Sequence, residues 1–506
     1  MTRPAFVAAV ALLLCGWSAT ADVGRTLDEV IAEVCRKEAL ASSGVGLLAV
    51  TAGGDTLAAV NPDMKLVPAS NVKLITTGLA LRSLGADFRF GTSLGYSGEV
   101  TGGTLHGDLY IVGGGDPTTG SRSSVAEPLE SLFGDWAALL EEAGISRIDG
   151  RIVGDARFFD SPTPENLGWS FDDLGTNYGA GPTGLNFFEN AQNFLITPGP
   201  APGSKPNISP RYPETPWMRY EISARTGGRG TANTVFYVNT SLGPFGEFGG
   251  SFPVDRRGYT FEGSNRFGAY TCAWYFMNYL SSRGIEAGRG CADISSDGNL
   301  RDAPSFGDSG IPAASPSELK MIGGTSSAKL SAIAAETNHE SDNFYAETML
   351  KLLALRNGYP CGGDGPADAA EYLLRSMGLE TAGRCRLVDG SGLSRKNYVS
   401  AGFFVDFLSR MMDEPCFGTY LKTLPVPGGK GTLEFKFGDR DEAFRSRIHM
   451  KSGSMNGILC YSGYILPSSE GGETIVFSLL TNNVTASVWS VSPLVDRIIE
   501  ALAAEN

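Results

Sequence analysis

The sequence predicts an α/β (α+β) fold in which an antiparallel sheet is flanked by helices and the chain is interrupted by a large β-rich insertion. Helical and strand-like segments alternate near both ends, whereas residues 86–315 consist mainly of short, glycine-rich, strand-like pieces. A chain of 506 residues is too long for one ordinary core, so more than one domain is expected. The 66 glycines and 27 prolines indicate many turns and therefore many short strands.

The elements can be assigned in chain order. Leu27 to Ala39 has the apolar spacing of an amphipathic helix, and the next segment, GVGLLAVTAGGDTLAAVNPD, resembles two strands joined by a turn. LITTGLALRSLG has helical spacing that ends at Gly85. After the middle stretch, helical spacing returns in SSAKLSAIAAETNHESDNFYAETMLKLLALRNG. The end of the chain indicates a strand, a hairpin, a strand and a helix: SRIHMKSGS, GILCYSGYIL, ETIVFSLLTNN and SPLVDRIIEALAAE.

This order suggests that one domain is formed by two separate parts of the chain. Residues 22–85 and 316–506 together amount to about 255 residues, a normal size for one α/β domain. Residues 86–315 would then be the insertion, and we expect them to form two β-rich subdomains.

The start of the chain resembles a secretory signal peptide. Arg3 is followed by an apolar run from Ala5 to Cys15 and then by Ala19-Thr20-Ala21, which predicts a signal peptide of residues 1–21. The run is too short for a permanent anchor, and Leu14 is bulkier than lipidation of Cys15 would tolerate. No later stretch has the length and hydrophobicity of a transmembrane helix. We therefore expect an exported protein without a stable membrane span.

Charge and cysteine content exclude several function classes. A net charge of −14 without a basic run argues against a nucleic-acid partner. Among the cysteines beyond the signal peptide, Cys272 with Cys291 and Cys361 with Cys385 are close pairs that could form disulfides after export. Neither a metal nor another cofactor is expected, because the chain has no CxxC motif and only three histidines.

One short stretch, VPASNVKL at residues 67–74, places Ser70 and Lys73 one helical turn apart. A serine hydroxyl needs a base, and a lysine can be that base when burial disfavours its charged form. A helix that begins at Ser70 also directs a backbone N–H towards a developing oxyanion. Alone the pattern is weak, since it recurs at Ser317 with Lys320 and at Ser326 with Lys329.

Two further motifs turn this pair into an ordered set. Ser341-Asp342-Asn343 lies in the break between two helical segments, and Lys451-Ser452-Gly453 lies in a strand that precedes a hairpin. SxxK, SxN and K[TS]G in this order are the motifs of penicillin-binding proteins and serine β-lactamases. The 271 residues that separate Ser70 from Ser341 exceed what a compact β-lactamase allows.

The sequence resembles the class C low-molecular-mass penicillin-binding proteins, the D-alanyl-D-alanine carboxypeptidase/endopeptidase family, in which domains are inserted just after the SxxK helix. The likeness is carried by VPASNVKLITT, VDGSGLSRKN, LPVPGGKGTLEFKF and MKSGSMNGILCYSGYI. It implies a serine β-lactamase/DD-peptidase-type fold, with the two-part domain as the penicillin-binding, transpeptidase-like catalytic domain. It also implies peptidoglycan stem peptides as substrates, β-lactam antibiotics as covalent inhibitors, and a place in the periplasm or cell-wall space.

The resemblance assigns roles to the three motifs. Ser70 is the acylated nucleophile, Lys73 its base, and Ser341 passes a proton to the leaving D-alanine nitrogen. Asn343 holds Lys73 and the substrate amide, and Lys451 supplies positive charge near the terminal carboxylate. Substrate binding is assigned to one strand, in which Ser452 replaces the family's commoner threonine, followed by Gly453 and Ser454. The backbone N–H groups of Ser70 and Ser454 form the oxyanion hole, and Asp342 shapes the loop.

A second set of residues concerns the substrate side chain. GWSFDDLGTNYGA at residues 168–180 resembles the inserted segment whose aspartate contacts the distal amine of meso-diaminopimelate. The matching positions are Asp173 and Tyr178, while Arg395 would bind the side-chain carboxylate and Asn456 replaces a glutamine at an auxiliary position. The alternative is that Asp173 is a loop residue and Arg395 a structural ion pair.

Two other functions remain open at this level. A serine β-lactamase or esterase on the same fold would turn over a penicillin steadily, but the long insertion and the DGSGLSR segment argue against it. A non-catalytic wall-binding protein would never be acylated at Ser70, but it would have no need of the complete motif set.

Overall fold

The computed structural model describes residues 25–159, 161, 163–303 and 307–505. The expected signal peptide, including Cys15, lies outside these residues. Within the described ranges, no helix combines the length and the hydrophobicity needed to cross a bilayer.

The helices of the described ranges fall into three groups, one near each end of the chain and a pair in the middle. In chain order they are α1 (Leu27–Arg36), α2 (Val72–Leu84), α3 (Leu129–Glu142), α4 (Gly268–Ser282), α5 (Leu330–His339), α6 (Asn343–Arg356), α7 (Gly365–Ser376), α8 (Ala401–Met412), α9 (Phe417–Thr423), α10 (Glu442–Arg445) and α11 (Val488–Ala504). A 3₁₀ turn, Ala69–Asn71, leads directly into α2.

The strands are mostly short, as the glycine content predicts. The first half of the chain contains β1 (Gly44–Thr51), β2 (Thr56–Val60), β3 (Lys65–Leu66), β4 (Gly91–Tyr96), β5 (Glu99–Thr101), β6 (Thr104–His106), β7 (Leu109–Gly113), β8 (Arg147–Ile148), β9 (Ile152–Asp155), β10 (Ala191–Thr197), β11 (Asn207–Tyr212), β12 (Arg219–Ile222), β13 (Arg225–Gly227), β14 (Phe236–Asn239) and β15 (Phe245–Gly249). The second half contains β16 (Ser251–Pro253), β17 (Tyr259–Ser264), β18 (Cys291–Ile294), β19 (Asn299–Asp302), β20 (Asp308–Pro312), β21 (Lys320–Ser326), β22 (Cys385–Arg386), β23 (Tyr398–Ser400), β24 (Ile448–Met455), β25 (Ile458–Ile465) and β26 (Ile475–Asn482).

The two ends of the chain meet in one five-stranded sheet of order β2-β1-β26-β25-β24. Each pair in it is antiparallel, as predicted, with Leu47 opposite Leu479 and Ser462 opposite Ser478. Because β1 pairs with β26, the N-terminal part of the chain cannot complete its sheet without the C-terminal part.

Both faces of this sheet are covered by helices. In β26, Phe477 and Leu479 point to a core formed with α1 and α11, whereas Val476 and Leu480 point to a second core on the opposite face. That second core contains α2 and α5 to α8. Successive side chains of a strand alternate between faces, so a strand buried on both sides is apolar throughout, as β26 nearly is.

The middle of the chain forms a mixed seven-stranded sheet of order β20-β19-β18-β9-β7-β4-β21. Its β7, β9 and β18 run parallel to one another, and α3 and α4 pack on it through a core that includes Trp136 and Phe276. Two three-stranded sheets, β11-β10-β17 and β12-β15-β14, follow the first strands of this region.

The middle region therefore contains two helices besides its strands. Its seven-stranded sheet also uses β21, Lys320–Ser326, which lies past the expected end of the insertion at residue 315. β21 ends only a few residues before α5 begins, and its sequence does not distinguish it from a linker. The division into a two-part domain of residues 22–85 and 316–506 and an insertion of residues 86–315 stays a prediction.

The proposed disulfides are not formed in the structure. Cys272, Cys291, Cys361 and Cys385 are thiols, as are Cys35, Cys416 and Cys460. Cys272 lies on the buried face of α4, and burial raises the pKa of its thiol, which makes the reactive thiolate form scarcer. The members of each pair are close in sequence, which does not by itself bring two thiols together in space.

Candidate active site

Ser70 lies in the 3₁₀ turn that opens the helix α2, next to Ala69 of the core that contains α2. The residue before it, Ala69, has φ +46°, a left-handed conformation that is costly for a residue with a side chain. A backbone so constrained at the first turn of a helix directs the serine outward rather than into the helix. The turn is held from behind by Gly392, where an added Cβ would lie 1.9 Å from the Ala69 carbonyl oxygen.

Lys73 is fully buried one turn after Ser70, and three oxygens surround its Nζ. The Nζ atom lies 3.0 Å from Ser70 Oγ, 2.6 Å from Asn343 Oδ1 and 2.7 Å from the Ser391 carbonyl oxygen. Asn343 Oδ1 and the Ser391 carbonyl can only accept, so a neutral amine gives them its two N–H groups. The ammonium form donates to all three oxygens, and once it loses a proton its lone pair faces the Ser70 hydroxyl, which then donates to it. This is the geometry of a base poised on a nucleophile.

Burial also favours the neutral amine. It lowers the pKa of Lys73 to about 8, although the carboxylates of Asp342, Asp389 and Glu347 raise that pKa in part. The pKa of Lys451, which is also fully buried, is well below its usual range because of burial and the charge of Lys73. Two cations repel each other strongly when no water lies around them. The two lysines therefore carry, together, less than two positive charges near neutral pH.

Ser341 and Asn343 flank the start of α6, in the break between α5 and α6 that the sequence predicts. Asp342 caps this helix, since its Oδ1 accepts a hydrogen bond of 2.8 Å from the Tyr345 backbone N–H. Ser341 has φ +58°, which turns it away from the helix axis. The cap explains why Asp342 is needed here, in agreement with its expected role as a loop-shaping residue.

Lys451 connects the third motif to the second. Its Nζ donates to Ser341 Oγ at 3.0 Å and to the Ser452 carbonyl oxygen at 2.8 Å. It lies on β24, the edge strand of the five-stranded sheet, and β24 forms a hairpin with β25 as predicted. Gly453 lets this strand approach the nucleophile turn, because an added Cβ would lie 2.8 Å from the Pro68 carbonyl oxygen.

The substrate-binding residues expected on β24 lie beyond Lys451. Ser452 is half-buried, and its Oγ donates to Thr432 Oγ1 at 3.1 Å. Thr432 is held in turn by its backbone N–H, which donates to the His339 carbonyl oxygen. Ser454 is exposed at the same edge of the sheet. Thr432 lies within GGKGTL, a segment that the sequence analysis singled out without assigning a residue.

Two buried carboxylates support the site, and neither was predicted. Glu347 Oε1 accepts from the backbone N–H groups of Gly390 and Ser391, and burial raises the pKa of Glu347 to about 7. Asp389 has no solvent exposure and accepts four hydrogen bonds. Asp389 belongs to the DGSGLSR segment and could have been named from it, whereas Glu347 has only its place on a buried helix face.

The residues expected to read the substrate side chain lie at the rim of this site. Asp173 and Arg395 are near enough for the arginine to lower the pKa of Asp173, which burial raises overall. Arg395 donates to the Asn456 carbonyl oxygen at 3.1 Å. Tyr178 reaches the site through its backbone, since its carbonyl oxygen accepts from Asn343 Nδ2 at 3.2 Å, and its side chain is 61% exposed.

The structure thus brings every expected site residue into one region. Within the described part of the chain, no group of three or more histidine, cysteine, aspartate or glutamate side chains is arranged to hold a metal ion.

Comparison with known proteins gives a family match over most of the chain. Residues 27–287 and 307–496 match the D-Ala-D-Ala carboxypeptidase 3 (S13) family. The chain belongs to this family. A D-alanyl-D-alanine carboxypeptidase of Actinomadura sp. (strain R39) is 30% identical over 479 residues, which are 90% of this chain and 81% of that protein. Family membership makes the chain a serine DD-peptidase, as its motifs predict.

Solved structures share the architecture. Penicillin binding protein 4 (dacB) from Haemophilus influenzae has a TM-score of 0.75 at 21% identity, covering 94% of this chain and 98% of that one. Bd3459, a predatory peptidoglycan endopeptidase from Bdellovibrio bacteriovorus, has a TM-score of 0.51 at 15% identity, covering 92% and 94%. These likenesses confirm the serine β-lactamase/DD-peptidase-type fold.

Proposed function

We propose that this serine DD-peptidase cleaves peptidoglycan stem peptides through an ester on Ser70, with Lys73 as the base. The observation that carries the proposal is the triple contact of Lys73 Nζ with Ser70 Oγ and two carbonyl-type acceptors. Ser70 Oγ attacks the carbonyl carbon between two D-alanines while its proton moves to Lys73 Nζ. The tetrahedral oxyanion is held by the backbone N–H groups of Ser70 and Ser454.

Collapse of this intermediate needs a proton on the leaving nitrogen. Ser341 is the donor, because its hydroxyl bonds to Lys451 Nζ and can be reprotonated from that side. The C–N bond then breaks, D-alanine leaves with the proton, and the acyl group remains on Ser70. Lys73 then passes on the proton it took from Ser70, which replaces the proton that Ser341 and Lys451 gave to the leaving group. The neutral Lys73 removes a proton from water as the water oxygen attacks the ester carbonyl, and it gives that proton to Ser70 Oγ when the ester bond breaks, which releases the shortened peptide.

The substrate is bound by the edge strand β24 and by Asn343 of the second motif. An extended peptide can add to the free edge of β24 as a further strand, and Gly453 lets that edge lie close to the nucleophile turn. The terminal carboxylate is taken by Ser452 Oγ and by the charge of Lys451, whose protonated form an arriving anion favours. Asn343 holds the substrate amide besides Lys73.

The second part of the proposal concerns the stem-peptide side chain. Asp173 pairs with the distal amine of a meso-diaminopimelate residue, and Arg395 binds the carboxylate of the same residue. The two opposite charges lie close together at the rim, an arrangement that suits a side chain carrying both an amine and a carboxylate. Tyr178 and Asn456 are assigned to the same subsite, since the backbone carbonyl of Asn456 accepts from Arg395 and that of Tyr178 accepts from Asn343.

The same acylation serves two reactions. A terminal D-alanine as the leaving group gives carboxypeptidase activity, and a cross-linked second stem peptide gives endopeptidase activity. β-Lactams, which imitate the D-alanyl-D-alanine end, would acylate Ser70 and persist there. We also infer export by the residue 1–21 signal peptide to the periplasm or cell-wall space, where this substrate lies.

The experiment is intact-protein mass spectrometry after incubation with benzylpenicillin, on the wild type and Ser70→Ala. One bound penicillin per chain is expected in the wild type and none in the variant. An unmodified wild type that destroys the drug would favour a β-lactamase instead. An unmodified wild type with surviving drug would favour the non-catalytic alternative and overturn the proposal.

A further inference from the structure

One segment of the middle region, residues 166–169, is clamped to the loop of residues 388–397. Asn166 Nδ2 donates to the Val388 carbonyl oxygen at 2.7 Å, and Ser394 Oγ donates to the Gly168 carbonyl oxygen at 2.9 Å. The packing is tight, since a Cβ added at Gly168 would lie 2.7 Å from Val388 Cγ1. The third link, from Trp169 Nε1 to Asp389 Oδ2 at 2.9 Å, is buried on both sides.

Asp389 organises the whole loop from its centre. Its Oδ2 also accepts from the Ser394 backbone N–H at 2.6 Å, and its Oδ1 accepts from Gly392 N–H and Asn397 Nδ2. The stability of a fully buried carboxylate depends on such hydrogen-bond donors. Of the four donors, Trp169 is the one that comes from the middle region. The indole N–H is therefore one of four donors that fix the position of this group and partly offset its negative charge.

The opposite side of the loop contacts the site of acyl transfer, which contains Ser70 and Lys73. The Ser391 carbonyl oxygen accepts from Lys73 Nζ, and the Gly390 carbonyl oxygen accepts from Thr76 Oγ1 at 2.7 Å. Gly392, with φ +83°, lies against the backbone of Ala69. A movement of the loop by a fraction of an ångström would therefore reach both the nucleophile turn and its base.

We propose that Trp169 is a positioning residue for acyl transfer, through which the middle region fixes Asp389 and the loop carbonyl that accepts from Lys73. The proposal rests on the assignment of Lys73 as the base. It gives the middle region a part in the chemical step itself, besides any part in substrate choice. Sequence position hides the link, because 220 residues separate Trp169 from Asp389.

The charges around Lys73 predict the direction of the effect. Lys451 faces it from β24, Asp342 and Glu347 from the start of α6, and Asp389 from the loop. Without the indole N–H, the Asp389 carboxylate is less neutralised and attracts the Lys73 ammonium more strongly. The pKa of Lys73 then rises, and less of the free amine is present at neutral pH.

The test is the pH profile of benzylpenicillin acylation in Trp169→Phe, which keeps an aromatic ring and removes the donor. A rise of half a pKa unit lowers the acylation rate about threefold at pH 7, with the two profiles converging near pH 9.5. Equal profiles, or a loss that is the same at each pH, would overturn the proposal. Ser394→Ala is the matched control, since it removes another bond of the same clamp and leaves the profile unshifted.

A second variant keeps the test decisive if Trp169→Phe does not fold. Asp389→Asn removes the charge, so the acidic limb of the profile should move to lower pH, opposite to the Trp169→Phe shift. An unmoved limb in Asp389→Asn contradicts the link. If the wild type is not acylated at any pH, the proposed function fails; if it is acylated and the variants match it, only the role of Trp169 fails.

Discussion

At the scale of single residues, the site depends on two lysines that burial makes less basic. Lys73 and Lys451 have no solvent exposure, and the charge of Lys73 opposes that of Lys451. Lys73 sits among acceptors that suit a neutral amine, whereas Lys451 donates to a serine hydroxyl and a carbonyl. The roles of base and carboxylate-binding cation are thereby divided between two groups of the same type.

The lowered pKa of Lys73 predicts the pH dependence of acylation. Its folded-state pKa of about 8 lies below the usual lysine value, so the active neutral form is a minority below pH 8. The second-order rate of benzylpenicillin acylation should rise about tenfold per unit between pH 5.5 and 7 and level off above pH 8.5. Stopped-flow or quenched mass spectrometry measures it. A rate that is flat across this range would show that Lys73 is not the titrating base.

At the scale of elements, the site is built where a strand meets the first turn of a helix. The 3₁₀ turn Ala69–Asn71 faces β24, and Gly453 is the point of contact. Besides the Pro68 carbonyl, a Cβ at this position would lie 2.9 Å from Asn71 Oδ1. Asn71 Nδ2 is bonded to Ser462 Oγ at 2.7 Å, so it cannot move aside without breaking a buried hydrogen bond.

Gly453→Ala should therefore separate the strand from the nucleophile turn. We expect a folded protein whose acylation rate falls about 100-fold, since a displacement near 1 Å has such an effect on a positioned nucleophile. Gly418→Ala in α9 is the control, because an added Cβ there has no heavy atom within 4 Å. Circular dichroism confirms folding, and the acylation rate is compared at saturating pH. A Gly453→Ala variant with the wild-type rate would disprove the close approach.

Several elements could be predicted because their signals are local. The break at Ser341-Asp342-Asn343 has a capping aspartate between two apolar periodicities, and the strand of Lys451 has alternation followed by a hairpin. The role of β21 could not be predicted, because its pairing with β4 joins residues more than 200 positions apart. The helices α3 and α4 were not predicted, because the glycine-rich segments on either side of them made the whole region look strand-like.

At the scale of the whole molecule, the site combines parts of the chain that are distant in sequence. From the three motifs we expect five residues to be neighbours, and they are: Ser70, Lys73, Ser341, Asn343 and Lys451. Such motifs are informative because the same chemistry requires the same residue types close together. The supporting groups Glu347 and Trp169 have no such pattern, whereas Asp389 and Thr432 lie in segments that carry the family resemblance without an assigned role. A buried carboxylate is recognised only when the fold shows that its surroundings lack water.

The rim of the site gives the last prediction, since Asp173 comes from the middle region and Arg395 from the loop after α7. Arg395→Ala should lower kcat/KM for a stem peptide with meso-diaminopimelate about 10- to 100-fold, the worth of a charge-assisted hydrogen bond of about 1.5–3 kcal/mol. Benzylpenicillin acylation should not change, because that drug has no such side chain.

Two controls separate charge recognition from a general disturbance of the loop. Arg386→Ala removes an exposed arginine of the nearby strand β22 and should leave both reactions intact. A stem peptide with lysine in place of meso-diaminopimelate lacks the side-chain carboxylate and should lose little with Arg395→Ala. Equal losses on both peptides and on the drug would instead make Arg395 a structural residue, because only a contact with the carboxylate distinguishes the two substrates.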